Sequence, residues 1–194
     1  MDKDFKVIVH YVVEAVVDFT YGRLRNEYAI EALPYIANRL DLASHNLDQS
    51  IRDVIVFQRD AHEATEEAFF ESNEGRRFPH FHCPVGDPGM EIVDELKQFE
   101  QFAHHTSPVD KPYIFDPVTV LTLLAISEEY GGIDEIHFYG FLTGMCVTGA
   151  AIQARANFQS ADIYVHARGT ADISPELHRS ALDLLERNFI FIAV

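Results

Sequence analysis

Five stretches of the chain are apolar almost without interruption and are rich in β-branched and aromatic residues. Strands with one wet face alternate apolar and polar residues, whereas strands covered on both faces, as in a parallel sheet, are continuous apolar runs. These stretches therefore predict five buried parallel strands, and a weaker run at residues 111–115 predicts a sixth. The five strong predictions cover residues 5–13, 53–57, 135–141, 162–167 and 188–194.

Segments with apolar residues at helical spacing lie between the predicted strands. Pro34 interrupts the first of them and predicts a kink or a restart of that helix. The pairs Asp116–Pro117 and Ser174–Pro175 are typical of an N-cap followed by a proline in the first helical turn. The predicted helices cover residues 26–43, 88–103, 116–132, 146–158 and 174–188.

Strands and helices alternate along the whole chain, which predicts an α/β fold with a single domain over residues 1–194. We expect a three-layer, doubly wound, mostly parallel six-stranded sheet with helices on both faces. A chain of 194 residues is long enough to bury one sizeable core. Residues 71–87 form the one long segment without periodicity, and long loops of this kind are often functional.

Composition and charge narrow the classes of partner. The chain has 15 Lys and Arg against 31 Asp and Glu, and its formal net charge of −16 argues against nucleic acid, because phosphate binding needs a basic face. No apolar run is long enough to cross a bilayer, and the first residues lack the pattern of a signal peptide. Two cysteines, Cys83 and Cys146, are too few for a disulfide framework. We therefore expect a reduced, cytoplasmic protein with no membrane partner.

Cys146 lies in the sequence GFLTGMCVTGAA, residues 140–151, between a predicted strand and a predicted helix. Ligands bind outside the carboxyl ends of the strands in an open α/β sheet. A helix N-terminus lowers the pKa of a thiol and offers backbone N–H groups to an oxyanion, so this position suits a nucleophilic thiolate. A buried, inert cysteine in a tight turn is the alternative, and this stretch alone does not decide between them.

A group of potential metal ligands follows the predicted strand at residues 53–57. Asp60 and His62 are two residues apart, so on an extended backbone their side chains point the same way. His80 and His82 lie in the irregular segment 71–87. One aspartate and two histidines, with positions left for water, match a site for zinc or another divalent cation. A single histidine is more often a surface or core residue, but several beyond strand ends favour a metal site.

Together these motifs resemble those of the nicotinamidase/isochorismatase-like cysteine hydrolases, and among them most of all the nicotinamidases. The resemblance covers essentially the whole chain and implies the isochorismatase-like hydrolase fold. Isochorismatases proper lack the cysteine nucleophile, so Cys146 argues against that branch. The matching residues are Gly140, Thr143, Cys146 and Val147 in the nucleophile motif, Asp60 and His62 in the metal motif, and His82, Cys83, Gly86 and Gly89 in the loop motif.

The resemblance also implies a cofactor and an assembly. The cofactor is a divalent metal, zinc, held by Asp60, His62 and His82. Cys83 is then a loop residue and not a second nucleophile. The assembly is a homo-oligomer, either a dimer or a tetramer, that acts on a small-molecule amide.

The other catalytic groups implied by the resemblance are a carboxylate base, a lysine and an oxyanion site. Glu14 occupies the position of the family's general base, which is an aspartate, and Asp18 is the competing candidate. Lys111 matches the catalytic lysine. The oxyanion is expected to bind backbone N–H groups of Leu142, Thr143 and Cys146.

The expected substrate pocket departs from that of nicotinamidases, which commonly stack the pyridine ring between a phenylalanine and a tryptophan. This chain has no tryptophan. Phe19 matches the phenylalanine, and Phe78 or Phe81 is expected to replace the tryptophan, since stacking on phenylalanine is favourable. The family often has another histidine after the metal motif, and here the stretch offers glutamates as further candidate ligands: Glu63, Glu66 and Glu67.

The sequence therefore predicts a cysteine amidohydrolase that converts a small carboxamide, nicotinamide first of all, to a carboxylate and ammonia through a thioester. Another small carboxamide or a ureido compound is the alternative substrate. Because the expected base is glutamate, a catalytically weak relative that binds a small ligand or a protein partner is the non-enzymatic alternative.

Overall fold

A computed structural model describes residues 4–105 and 107–194. Within these residues, six strands form a sheet in which every neighbouring pair is parallel, in the order β3-β2-β1-β4-β5-β6. The strands are β1 (Lys6–Val13), β2 (Ile51–Asp60), β3 (Val109–Lys111), β4 (Glu135–Phe141), β5 (Asp162–Ala171) and β6 (Phe191–Ala193). The weakest predicted strand is displaced, since β3 ends at Lys111, where the prediction had it begin.

Helices connect the strands and cover both faces of the sheet. They are α1 (Val17–Thr20), α2 (Glu27–Ser44), α3 (Glu66–Glu71), α4 (Asn73–Arg77), α5 (Asp94–Lys97), α6 (Val118–Tyr130), α7 (Thr148–Asn157) and α8 (Pro175–Arg187). Pro34 lies inside α2 without ending it. Its position on the exposed side lets water reach the carbonyl that loses its helical partner. None of the described helices is long and apolar enough to cross a membrane.

The segment predicted as one helix over residues 88–103 is instead broken into short pieces. Its apolar residues do have helical spacing, but tertiary contacts override that preference. Ile92 forms a β-bridge with Val16, and the N–H of Val93 donates to the carbonyl of Ala15. Only α5 and two 3-10 turns, Pro88–Met90 and Glu100–Phe102, are helical here.

The two faces of the sheet pack against different helices. On one face, α6, α7 and α8 contribute Leu123, Ala150 and Leu185 to a buried cluster with alternate residues of β1 and β4. On the other face, α2 contributes Leu33, Ile36 and Leu40 to a second buried cluster. Burial of both faces explains why the strands are apolar without alternation. The predicted three-layer α/β fold is confirmed.

The strand order places one crevice at the carboxyl end of the sheet. From β1 the chain builds outward through β2 and β3 on one side, and then returns to add β4 on the other side. Ligands bind at such a reversal of strand order. Gly140 near the end of β4 permits the close approach of β1 there, because a Cβ at its φ of +108° would lie 1.7 Å from the carbonyl oxygen of Val13.

Candidate active site

Cys146 lies in a tight turn at the carboxyl end of β4. The peptide bond between Phe141 and Leu142 is cis, and a π-helical turn, Thr143–Val147, then leads into α7. Two side chains from the α8 side hold this turn. The N–H of Gly144 donates to Asp172 Oδ2 at 2.6 Å, and Thr143 Oγ1 lies 2.8 Å from His178 Nδ1. These two contacts therefore hold the backbone turn that carries Cys146 in place.

Glu14 follows β1 directly and faces the same crevice. Its side chain is completely buried, and its backbone has a φ of +52°, which is uncommon for a residue other than glycine. One ligand atom each from Glu14, Asp60 and Cys146 lies within 4.8 Å of the other two. Neither Glu14 oxygen meets hydrogen-bond geometry with any group in the described residues. A buried carboxylate is thus placed beside the thiol.

Lys111, the last residue of β3, links the carboxylates to the thiol. Its Nζ lies 2.9 Å from Glu14 Oε1 and 2.5 Å from Asp60 Oδ1. The same nitrogen lies 3.9 Å from Cys146 Sγ. Since Lys111 is 1% exposed, these charges interact out of water.

Burial and neighbouring charges shift the pKa values of Lys111, Glu14 and Cys146. Although burial opposes its charge, the carboxylate of Asp60 and then the thiol raise the pKa of Lys111 well above its usual 10.5. Burial, followed by the charge of Asp60, raises the pKa of Glu14 to about 8. Burial and then Glu14 raise the pKa of the Cys146 thiol well above its usual value. This differs from the thiol pKa lowered by a helix terminus that the sequence predicted, because the thiol is desolvated and faces a carboxylate.

Asp60, His62 and His82 form a compact group at the carboxyl ends of β2 and the loop that follows α4. The Nε2 atoms of the two histidines are 3.1 Å apart, and each lies 3.5 Å from Asp60 Oδ2. Each Nδ1 donates to a backbone carbonyl, that of Pro112 at 2.9 Å for His62 and that of His80 at 2.5 Å for His82. A neutral ring bonded in this way presents a lone pair on Nε2.

These contacts allow a test of the predicted zinc site. Two facing lone pairs 3.1 Å apart repel each other unless a cation or a proton lies between them. Ligand atoms on a tetrahedral zinc ion with bonds of about 2.0–2.1 Å are about 3.3 Å apart. The observed separations of 3.1 Å and 3.5 Å lie on either side of that value. The donor set of Asp60, His62 and His82 fits a zinc ion.

Asp18, the competing candidate base, has a different position. Its Oδ2 accepts the N–H of Cys83 at 2.8 Å and Nη1 of Arg23 at 2.8 Å. A Cβ at Gly89 would lie 2.4 Å from the same carboxylate oxygen. Asp18 is therefore the polar centre of a packed loop junction.

The described residues form a narrow pocket of about 10 Å³ beside Cys146. Phe19 and Phe78, two of the residues expected to bind the substrate, line it. Phe81 does not: its ring packs on Phe69 instead, and the guanidinium of Arg23 lies 5.9 Å above it. The remaining lining residues are Asp60, Glu74, His82, Ile114, Leu142, Met145 and Cys146.

Several residues near the site escaped the sequence analysis. Glu74 Oε1 lies 3.5 Å from Nε2 of His62, and its other oxygen accepts the N–H of Ile114. Asp172 and His178 hold the cysteine turn. No local motif marks these residues, since their positions depend on how distant segments pack. The glutamates proposed as further ligands, Glu63, Glu66 and Glu67, are exposed.

A family model described as the isochorismatase domain matches residues 7–193. The chain belongs to the isochorismatase family. The family predicted from the motifs is thus confirmed, and the match spans all the elements that carry the site. None of the curated protein sequences compared with this isochorismatase-family chain matches it significantly.

Solved structures similar to this isochorismatase-family chain include nicotinamidases and another amidase. The pyrazinamidase/nicotinamidase of Streptococcus mutans is 24% identical, with a TM-score of 0.77 over 95% of this chain and 99% of that one. The pyrazinamidase of Pyrococcus horikoshii in complex with zinc is 20% identical, with a TM-score of 0.71 over 96% and 98%. The N-carbamoylsarcosine amidase of Thermoplasma acidophilum is 21% identical, with a TM-score of 0.67 over 97% and 96%. At these identities the likeness shows a common fold.

Proposed function

We propose that the protein is a cysteine amidohydrolase whose nucleophile is Cys146, whose base is Glu14 and whose electrostatic partner is Lys111. The observation that carries this proposal is the position of a buried thiol, a buried carboxylate and an ammonium group in one crevice at the carboxyl ends of β4, β1 and β3. Such a group has no structural role that apolar side chains would not serve better, because burying charges is costly.

The first half of the reaction forms a thioester. The ionised carboxylate of Glu14 accepts the proton of the Cys146 thiol as the sulfur attacks the carbon of a carboxamide. The carbonyl oxygen becomes an oxyanion, which we assign to backbone N–H groups of Leu142, Thr143 and Cys146. The proton held by Glu14 passes to the amide nitrogen, the carbon–nitrogen bond breaks and ammonia leaves.

The second half releases the acid. Glu14 accepts a proton from a water molecule, whose oxygen adds to the thioester carbon. The carbon–sulfur bond breaks, and the proton returns to the sulfur of Cys146, so the enzyme is restored and a carboxylic acid leaves. Lys111 keeps its charge throughout and stabilises the anions that form near it, because its pKa is raised well above the working range.

Asp60, His62 and His82 would hold the metal ion, and zinc suits this set of donors. When bound, a zinc ion supplies a Lewis acid beside the pocket that can hold a ring nitrogen or another polar group of the substrate. The backbone carbonyls of Pro112 and His80 fix both imidazole rings for this purpose.

Nicotinamide, converted to nicotinate, is the first substrate to test. Phe19 and Phe78 line the pocket and are the aromatic side chains that we propose stack on a pyridine ring, and two of the similar structures are named as pyrazinamidases or nicotinamidases. An N-carbamoyl compound is the second candidate, supported by the likeness to the N-carbamoylsarcosine amidase.

The test is ammonia release from a panel of carboxamides and ureido compounds, with and without added zinc. Cys146→Ala should abolish turnover, since no covalent route is left. The matched control is Cys83→Ala, because Cys83 is also buried but the hydrogen-bond partner of its sulfur in the described residues is the carbonyl of Gly89, and this variant should keep its activity. Ammonia release by Cys146→Ala at the parental rate would overturn the mechanism.

We also propose a cytoplasmic homo-oligomer, a dimer or a tetramer. In the described residues β6 pairs on one side only, with β5, and so presents an open edge. Phe189 and Phe191 are 84% and 52% exposed beside that edge. Open edges and exposed aromatic side chains favour contact with another subunit. Light scattering coupled to gel filtration tests this proposal, and a monomeric mass at all concentrations would refute it.

A further inference from the structure

An apolar groove leads away from the pocket that contains Cys146. It has a volume of about 330 Å³ and shares Phe78, Leu142 and Met145 with that pocket. Its far wall is α8 together with Asp172 and Ile173, which precede that helix. The other residues that line it are Gly144, Asp172, Ile173, Leu177, Ser180, Ala181 and Leu184.

The apolar side of the groove is a narrow stripe on α8. Leu177, Ala181 and Leu184 recur at helical spacing and lie on one side of the helix. Leu177 and Leu184 are each 49% exposed, although aliphatic side chains of this size are usually buried. The stripe is bordered on its solvent side by exposed polar residues such as Ser180 and Glu176. Its three residues are far fewer than a stable subunit interface needs, since such an interface takes some 20–30 residues from each partner.

Size decides what the catalytic pocket can hold without the groove. The space beside Cys146 has only about 10 Å³, about the room for one water molecule, whereas the groove has about 330 Å³. Sites that bury a typical small-molecule ligand have roughly 300–1,000 Å³, so the groove is large enough for a ligand and the pocket is not. The pocket therefore has no room for more than the reacting group, and the rest of a substrate must lie outside it. Phe78, Leu142 and Met145 line both spaces, so the groove is the neighbouring apolar space for that remainder.

The charged residues around the groove determine which substituents can bind in it. Neither the pocket nor the groove is lined by a lysine or an arginine in the part of the chain that the structure describes. The carboxylate of Asp172 is already bonded, through Oδ2 to the N–H of Gly144 and through Oδ1 to the N–H of Ile173. An anionic substituent would meet this carboxylate with no cation to balance it, whereas an apolar one would cover Leu177 and Leu184.

We infer that the substrate is a neutral carboxamide with an extended apolar substituent, which lies in the groove between α8 and the Cys146 turn. This inference rests on the proposed amidohydrolase function and specifies its substrate class. The carboxamide reaches the sulfur of Cys146 through the narrow pocket, and the substituent is desolvated along Leu177 and Leu184.

The experiment measures kcat/KM for ammonia release from acetamide, butanamide and hexanamide, with adipic acid monoamide as the anionic match to hexanamide. Each methylene that enters the groove should raise kcat/KM by up to about fourfold, so hexanamide should exceed acetamide by roughly 10²-fold. Adipic acid monoamide should fall well below hexanamide. Ammonia release with no dependence on chain length overturns the inference and leaves the proposed function standing. No ammonia from these amides or from nicotinamide and N-carbamoyl compounds overturns both.

Variants of the groove supply the second readout. Leu177→Ser and Leu184→Ser should each lower the ratio of the hexanamide to the acetamide kcat/KM by about fivefold. Leu121→Ser is the control, because Leu121 is 61% exposed on α6, outside the groove, and this variant should keep the parental ratio. If Leu184→Ser leaves the ratio unchanged but lowers the native mass measured by light scattering, the groove binds a second copy of the chain and the inference is wrong.

Discussion

Shortening Glu14 to aspartate tests whether this residue is the base, because the change should move the carboxylate far enough to slow catalysis while hardly altering the stability of the fold. Removal of one methylene withdraws the carboxylate by about 1.5 Å. The contact between Glu14 Oε1 and Lys111 Nζ, now 2.9 Å, would lengthen to roughly 4.4 Å, and the distance to the thiol would grow in the same way. A misplacement of about 1 Å can cost on the order of a hundredfold in rate. We therefore expect Glu14→Asp to lower kcat by about 10²-fold or more.

The stability of Glu14→Asp should hardly change. Loss of one methylene from a completely buried side chain costs about 1 kcal/mol, including the small cavity that remains. The φ of +52° works in the opposite direction, since aspartate tolerates the left-handed region better than glutamate does, by some tenths of a kcal/mol to about 1 kcal/mol. These effects nearly offset each other, and the ammonium group of Lys111 stays paired with Asp60. The melting temperature should then move by less than about 4 °C.

The assay for this prediction combines steady-state ammonia release with thermal unfolding of the same preparations. Glu14→Gln keeps the side-chain shape and removes the base, so it should lose nearly all activity. A parental or higher rate in Glu14→Asp would refute the geometric argument. If Glu14→Gln runs at the parental rate while Asp18→Asn is folded and inactive, Asp18 is the base instead.

Further predictions concern proton transfer, metal and thiol. Glu14 must be ionised to accept a proton and its pKa is raised to about 8, so activity should be lost as the pH falls through that value. A fall in kcat/KM centred near pH 4.5, the ordinary pKa of a glutamate, would contradict this prediction. His62→Ala and His82→Ala should each lower bound zinc measured by elemental analysis, since a site with three protein ligands cannot easily spare one, and parental zinc in both would place the site elsewhere. Iodoacetamide should modify Cys146 before Cys83, because only Cys146 lines the pocket, and the rate should still rise above pH 9 since the thiol pKa is raised; peptide mapping would show equal labelling if this is wrong.

The sequence predicted best those features that local pattern determines. Continuous apolar runs gave all the central strands, and strand ends then placed Glu14, Asp60 and Cys146 at one edge of the sheet, where the structure brings them together. The predicted cap at Ser174 is present, since its side chain accepts the N–H of Leu177. The sheet fixes the position of residues that directly follow a strand, so their place in the site can be predicted from where the strand ends.

Features that depend on contacts between distant segments were harder to predict. Apolar spacing favoured a helix over residues 88–103, but the bridge between Ile92 and Val16 requires an extended backbone there. Phe81 and Phe78 were equivalent in the sequence, and only the path of the loop turns Phe78 toward Cys146 and Phe81 toward Phe69. Glu74 reaches His62 because α4 folds back over the site.

The short edge strand β3 has a consequence for local opening of the native state. Three residues at the edge of a sheet, bonded to one neighbour, are the kind of segment that hydrogen exchange finds opening well before the whole fold. Here the last of those residues is Lys111, and an opening of β3 would leave Glu14 and Asp60 buried side by side without their cation. Removing one partner of a buried ion pair destabilises the protein by about 3–5 kcal/mol, because the other charge is left buried and uncompensated. The ion pairs of the Lys111 ammonium group therefore stabilise β3 against local opening. The backbone amides of β3 should exchange hydrogen with solvent more slowly than the length of the strand alone would suggest.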